Sequence, residues 1–313
     1  MKSHIVLLCH LFCSQVLPLY AQDDFDFQPS QWRWNGQISG SISHVSFKNW
    51  TANNNEFSYV AGLSSRLYPK YSDNSWIFIG SWDGRFSMFG GNSQPLRKTE
   101  DRLELNLKFG RSLWSNSERS TSLYIILFND LQTQFLPEYD RFADPHKPHY
   151  ISNFLAPGYM TNGIGVDFRF DSLNLSIVVT PIAMKQTMVF DRGVDRTYYG
   201  LDTNQNIENV SGAYTRLIFS KEIFSKITLS MKSIFFVDYS EQFFIDVSFF
   251  GEIDYAITSY LKLYTSLHIL SDDDLKVRLY EDLDADGLSD DFAGVGQHLQ
   301  LYGQMGIMIS INF

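Results

Sequence analysis

Toward its C-terminus the chain settles into a strict alternation. The odd positions read Leu299, Leu301, Gly303, Met305, Ile307, Ile309, Ile311 and Phe313, while the even ones include Gln300, Gln304, Gly306, Ser310 and Asn312. A two-residue period sends alternate side chains to opposite faces of a strand. The same period recurs upstream. Leu261, Leu263, Leu267 and Ile269 alternate with Lys262, Tyr264, Ser266 and His268, and Leu103, Leu105, Leu107 and Phe109 alternate with Arg102, Glu104, Asn106 and Lys108. Leu173, Leu175, Ile177 and Val179 alternate with Asn174, Ser176 and Thr180. Runs of this kind predict strands at 32–46, 57–68, 75–88, 101–111, 120–134, 154–170, 172–187, 207–220, 226–238, 242–256, 260–270 and 297–313. Strand 120–134 is unusual in carrying apolar residues on both faces from Leu123 to Phe128.

Twelve strands is an even number, and the connections alternate in length. Segments 47–56, 89–100, 135–153, 188–206 and 271–296 are long, whereas 69–74, 112–119, 171, 221–225 and 257–259 are short; only Tyr239-Ser240-Glu241 breaks the rule. Gln304-x-Gly306-x-x-Ile309-x-Ile311 followed by Phe313 resembles the C-terminal β-signal of bacterial outer-membrane barrels. Hydrocarbon offers backbone N–H and C=O groups no partner, so a sheet that spans it must close on itself. The expected fold is therefore all-β: a closed antiparallel transmembrane β-barrel of about 12 strands over 32–313, with short periplasmic turns and longer extracellular loops.

The residues before it read as an address. Met1 to Ala21 carries Lys2, the apolar runs Ile5-Val6-Leu7-Leu8 and Leu11-Phe12, and Leu19-Tyr20-Ala21 ahead of polar Gln22-Asp23-Asp24. This pattern predicts a signal peptide over 1–21 and a short periplasmic segment over 22–31. Both cysteines, Cys9 and Cys13, fall inside the signal, so the mature barrel would have neither a disulfide nor a cysteine metal site. Of the 313 residues, 25 are Lys or Arg and 35 are Asp or Glu, a net charge of −10, and this acidity excludes a nucleic-acid partner. The chain is rich in aromatic residues, at 16%, and Trp32, Trp34, Trp76, Trp82, Tyr198, Tyr199 and Tyr302 are candidates for girdles at the lipid–water boundary.

Inward parity falls on Asp83, Glu104, Asp167, Asp246, Glu252 and Asp254, and on Arg66, Arg85, Lys108, Arg169, Arg216, Lys232 and Lys262. Six acids against seven bases would pair across the interior, because an unpartnered charge away from bulk water is costly. A polar lumen that is narrow or plugged follows, unlike that of a wide porin.

Several pieces of the chain occur in a familiar order. They are Trp32-Arg33-Trp34-Asn35-Gly36, Phe47-Lys48-Asn49-Trp50, Arg97-Lys98-Thr99-Glu100-Asp101-Arg102-Leu103-Glu104-Leu105, Gln132-x-Gln134-Phe135, Phe154-Leu155-Ala156-Pro157-Gly158-Tyr159 and Thr180-Pro181. In this order the chain resembles the Bacteroidota outer-membrane β-barrel family catalogued as domain of unknown function 3078. It departs from that family where a Gly-Gly pair is usual, having Asn53-Asn54-Asn55 instead. The resemblance implies a location and a fold, and no activity.

Two local motifs carry chemistry of their own. Asp282, Asp284, Asp286 and Asp290 stand at positions 1, 3, 5 and 9 of a calcium-type loop, with Gly287 at the turn and the carbonyl of Leu288 at position 7. Position 12 is Ala293, so the bidentate Glu of an EF-hand is missing, and the loop is closer to the short calcium loops of thrombospondin type 3 repeats. Structural Ca²⁺ on an external loop is the expectation, set against a merely solvated acidic loop. His44-x-Ser46 resembles the pair that a twelve-stranded outer-membrane phospholipase carries near the outer leaflet, with Asn53, Asn54 or Asn55 to orient the base. A polar pair near the headgroups is the simpler reading.

The expected function is thus an integral outer-membrane barrel without enzymatic activity, serving as an envelope scaffold or accessory subunit. A small-solute channel is the first alternative, and a phospholipase-like hydrolase the second. The partners this implies are outer-membrane lipids, the barrel-assembly machinery and an envelope protein complex.

Overall fold

The computed structural model describes residues 31–45, 58–73, 75–91, 94–116, 120–139, 150–240, 245–271, 277–281, 291–296 and 300–313. The expected signal peptide, Ser46, the Asn53 to Asn55 run and the loop from Asp282 to Asp290 lie outside these residues. The described residues contain sixteen strands: β1 (Gln31–Val45), β2 (Ser58–Ser72), β3 (Trp76–Gly91), β4 (Gln94–Asn116), β5 (Thr121–Thr133), β6 (Glu138–Tyr139), β7 (Tyr150–Ser152) and β8 (Gly158–Phe170) in the first half. The second half adds β9 (Leu175–Met188), β10 (Ile207–Phe224), β11 (Ile227–Asp238), β12 (Ile245–Ala256), β13 (Leu261–Ser271), β14 (Val277–Glu281), β15 (Asp291–Gly296) and β16 (Gln300–Asn312).

Twelve of them close a barrel in the order β1-β16-β13-β12-β11-β10-β9-β8-β5-β4-β3-β2, with every neighbouring pair antiparallel. These are the twelve strands read from the period, with most ends moved by a few residues. The remaining four form two small hairpins, β6 with β7 and β14 with β15, inside two of the long connections. One connection departs from expectation. Segment 89–100 is read from the sequence as a long loop, yet β3 runs to Gly91 and β4 begins at Gln94, so two long strands stand here in place of a loop. A bulge at Ser87/Met88 lets β4 continue through Lys98 to Asp101, whose charges interrupt the apolar period.

Side-chain direction confirms why the barrel closes around a polar centre. In β13, Tyr264, Ser266 and His268 are buried inside while Leu263 and Leu267 are exposed on the wall. Ile164 and Ile182, opposed on β8 and β9, are 54% and 72% exposed, and Ile38, Ile42, Leu63, Ile253, Ile307 and Ile309 point the same way. So many exposed aliphatic side chains on one continuous outer face would be untenable in water and suit lipid. Among the described residues no helix is long and apolar enough to cross a membrane.

Around the short turns the outer wall becomes aromatic. Trp32 stacks on Trp34 at 6.0 Å and meets Tyr71 at 5.5 Å and Phe78 at 5.6 Å, while Trp76 stacks on Phe109 at 5.0 Å with the Arg111 guanidinium 5.5 Å above it. These rings form part of a girdle. Tyr198 and Tyr199, expected in the same role, do something else. They sit in a 3₁₀ turn, Arg196–Tyr199, where Tyr199 is buried with Ala156, Val189, Val194 and Leu201 and donates to the Ile151 carbonyl at 2.9 Å. Their exposure in sequence and their aromatic character gave no sign that the long connection 189–206 folds back on 150–157.

One bulge shapes a wall of the barrel. Ile164 pairs with Ile182 and Val166 with Val179, so Gly165 alone faces Thr180 and Pro181; on the other side Ala213 faces Pro181 and Ile182. Pro181 has no N–H to give the ladder, and a bulge is where a strand tolerates it. A Cβ at Gly165 would lie 2.2 Å from the Val179 carbonyl oxygen, and one at Gly212 would lie 2.3 Å from that of Val237, so both positions need glycine for this close approach.

Candidate functional site

The interior of the barrel is where charge, burial and geometry converge. Strand parity places five of the six expected acids fully inside: Asp83, Glu104, Asp167, Glu252 and Asp254 are buried. Arg66, Arg85, Lys108, Arg169, Arg216 and Lys232 are buried with them. The remaining two, Asp246 and Lys262, are half-buried and also paired. Lys185 Nζ lies 2.9 Å from Asp246 and Lys262 Nζ lies 3.5 Å from Asp254.

The pairs form separate groups around the lumen. In one, Asp83 accepts from Arg66 Nε at 3.1 Å and from Arg85 at 2.9 and 3.0 Å, and the Arg85 guanidinium approaches Glu100 at 4.0 Å. Arg66 also donates to Gln37 at 2.8 Å, and Gln37 donates to Asn312 at 2.9 Å. A single polar row therefore crosses β4, β3, β2, β1 and β16. It ties the closing seam, where β1 and β16 pair over Gln37 to Ile42 and Gly36 exchanges backbone hydrogen bonds with Phe313. Arg102 and Glu104 form a further ion pair beside this row.

A second group joins Lys108 to Asp167 at 2.6 Å, with Ser176 donating to the other carboxylate oxygen at 2.6 Å. In a third, Asp130 accepts from Arg216 at 2.6 Å and from the Tyr214 hydroxyl at 3.1 Å, and the guanidinium lies 5.6 Å above the Phe128 ring. In these three groups the carboxylate partners offset the desolvation that burial imposes on Arg66, Arg85, Lys108 and Arg216.

Among these charged groups the lumen also carries an apolar cluster. Ile77, Tyr124, Ile126, Phe128, Val178, Ala183, Tyr214 and Phe236 make one buried cluster, with Phe128 stacked on Tyr214 at 4.8 Å. This resolves the two apolar faces of β5. Ile125 and Leu127 meet lipid, and Tyr124, Ile126 and Phe128 fill the barrel.

Sequence reasoning missed four members of these networks. Glu100 lies just before a strand read as starting too late, and Arg102, on the polar face of that strand with Glu104 and Lys108, was left out of the inward set. Asp130 lies on the inner face of β5, whose parity the doubly apolar run concealed. Lys185 follows the Pro181 bulge, which reverses odd and even from that point on. A Ser248–His268 hydrogen bond at 3.0 Å was also missed; with His268 3% exposed, the ring is closed off from any substrate on the lipid face. The Asp282, Asp284, Asp286, Leu288 and Asp290 loop and the Ser46 hydroxyl lie outside the described residues, and the flanks of the loop are paired, Glu281 opposite Asp291. Among the described residues no three His, Cys, Asp or Glu side chains converge as ligands of a metal.

Fold and interior together define an integral twelve-strand β-barrel of the outer-membrane kind, with charged and apolar side chains buried inside it. The family described as a protein of unknown function (DUF3078) matches residues 42–139, which spans β2 to β6 and the end of β1. Solved structures that it resembles include the translocator domain of the autotransporter NalP from Neisseria meningitidis, at 8% identity and a TM-score of 0.38, covering 92% of this chain and 91% of that one. The outer membrane phospholipase (OMPLA) dimer of Salmonella typhi with bound calcium is 12% identical with a TM-score of 0.37, covering 92% and 94%. An outer membrane channel from Pseudomonas putida F1 is 8% identical with a TM-score of 0.39, covering 93% and 99%. No curated protein matches the sequence.

Proposed function

We propose that this barrel is a non-enzymatic envelope scaffold or accessory subunit rather than a conduit. The observation that carries this reading is the burial of its centre: Phe128, Val178, Glu252 and Asp167 are each at most 2% exposed, although all four point inward. A water-filled channel would wet them. The connection 189–206, folded onto 150–157 through Tyr199, adds bulk at the end where the long connections gather.

In this proposal the signal peptide is removed after Ala21, the barrel-assembly machinery inserts the strands, and both ends of the barrel domain face the periplasm. The aromatic girdle contacts the lipid boundary, and the exterior loops meet a larger envelope complex. The acidic loop from Asp282 to Asp290 holds Ca²⁺ in a structural role, for which calorimetry of the refolded protein against CaCl₂ is the check.

Planar bilayers test the main reading. Purified protein is expected to carry no steady current, and to bring down envelope proteins when isolated from native membranes. A stable ohmic conductance would instead make it a small-solute channel. Hydrolysis of a fluorogenic phospholipid that disappears with Ser46→Ala would make it a hydrolase.

A further inference from the structure

Arg111 stands exposed on the outer wall of β4, among apolar side chains. Leu107 and Phe109 precede it on that face and Leu113 and Trp114 follow it, all exposed. Across the ladders it is opposite Trp76 on β3 and Ile125 on β5, which are exposed on the same wall. Its guanidinium lies 5.5 Å above the Trp76 ring, and among the described residues it makes no hydrogen bond or ion pair. Asp73 in the adjoining turn is not its counter-ion. The Asp73 oxygens take the N–H groups of Ser75 and Trp76 and the Tyr71 hydroxyl.

The position has a height as well as a face. Strand β3 begins at Trp76, so the pair Trp76–Arg111 marks the level of the β2–β3 turn. Strands β4 and β5 run further, from Ser112 opposite Tyr124 to Asn116 opposite Thr121. Hairpin β4–β5 thus projects past its neighbour, and Arg111 sits in the step, where the Ser112 N–H donates to the Ser75 carbonyl at 2.8 Å. Trp76 and Phe109, with Trp32, Tyr71 and Phe78 beside them, put this level at the boundary between lipid and water.

What covers such a place must answer a positive charge and an apolar wall at once. A guanidinium presents five N–H donors in a planar fork that matches a phosphate, and an aromatic face attracts its charge without supplying a counter-ion. On the membrane side of Arg111 the wall is formed by Phe109, Leu107 and Leu127, all exposed. A molecule with a phosphate at one end and hydrocarbon chains at the other meets both demands. Because the cation is unanswered, a headgroup with net negative charge fits better than a zwitterionic one, which would bring its own ammonium beside Arg111.

We propose that the step at Trp76 and Arg111 binds one anionic glycerophospholipid, its phosphodiester on the Arg111 guanidinium and its acyl chains along Phe109, Leu107 and Leu127. The site requires only that the barrel span a bilayer, and it stands whether the protein is a scaffold or a conduit.

The full-length barrel, refolded in non-ionic detergent, is titrated with phosphatidylglycerol or with phosphatidylcholine of the same chains, and bound lipid is counted by native mass spectrometry. One phosphatidylglycerol is expected to be held roughly tenfold more tightly than phosphatidylcholine, the size of a charge-assisted hydrogen bond. Arg111→Gln should abolish that preference, and Arg111→Lys, which keeps the charge and loses the fork, should retain part of it. A second measurement needs no change at Arg111 and keeps the test open should Arg111→Gln fail to refold. Phosphatidylglycerol brominated on its chains should quench the tryptophan emission of the parent more than brominated phosphatidylcholine at equal mole fraction, and Trp76→Phe should remove most of the difference. Equal retention of the two lipids, a preference that survives Arg111→Gln, or displacement of the lipid by an equal concentration of inorganic phosphate would overturn the proposal, the last by marking a site for free anions.

Discussion

Lys108 reaches from β4 to Asp167 on β8 across the whole width of β5, and their charged atoms meet at 2.6 Å inside the barrel. The contact joins strands that share no ladder. Removing one partner leaves the other buried and unanswered, and Asp167→Asn is expected to cost about 3–5 kcal/mol in urea unfolding of the refolded barrel. The double change Lys108→Met with Asp167→Leu should recover most of that loss. A single variant as stable as the parent would show that water reaches the pair.

Lipid contact makes a depth-dependent prediction. Ile164 lies midway along β8 and Ile245 at the very start of β12, and both are exposed on the outer wall. Arg at position 164 should destabilise the barrel by about 2–4 kcal/mol in lipid vesicles, while Arg at 245 should cost about 1 kcal/mol or less. Equal penalties at the two heights would contradict the placement of the hydrocarbon band.

The turn between β2 and β3 should respond to acid. Asp73 accepts from the backbone N–H of Ser75 and of Trp76, each at 2.7 Å, and these bonds, with that to Ser75 foremost, hold its carboxyl below the ordinary value of 3.8. A depressed folded-state pKa contributes stability that is present above 3.8 and is lost as pH falls through the lower folded value. Amide exchange at Ser75 and Trp76 should therefore accelerate below that pH in the parent. With Asp73→Ala the exchange should already be fast at neutral pH and should lose this acid step.

Folding of the long connection 189–206 rests on one buried phenol. Tyr199→Phe leaves the Ile151 carbonyl without its donor, at a local cost of about 1–3 kcal/mol. Trypsin should then cut after Arg192 or Arg196 faster than in the parent, with the barrel strands still protected. Unchanged cleavage would mean that the apolar contacts of Val189, Val194 and Leu201 suffice.

Much of this was readable from the chain, and the failures have physical causes. Alternation gave the twelve strands and most of the inward charges because a strand has only two faces and lipid accepts only one kind of residue. It lost parity where the count of residues and the count of ladder positions diverge, at Ser87/Met88 and at Pro181, and so lost Lys185. It assumed a wholly polar lumen, and so could not place Tyr124, Ile126 and Phe128. The mutual packing of 150–157 and 189–206 joins segments far apart in sequence with no period between them, which left Tyr199 assigned to the wrong surface.

The bulge at Pro181 has a consequence for how this wall could change length. Val179 and Ile182 both face lipid, and Thr180 and Ala183 both face inward, so taking out Pro181 alone would restore unbroken alternation along β9 and turn no side chain around. A one-residue deletion almost anywhere else in the strand would swing Lys185 into the bilayer or Ile182 into the interior. The strand thus contains a single spare residue, a place where shortening the gene by one codon should leave the cylinder intact.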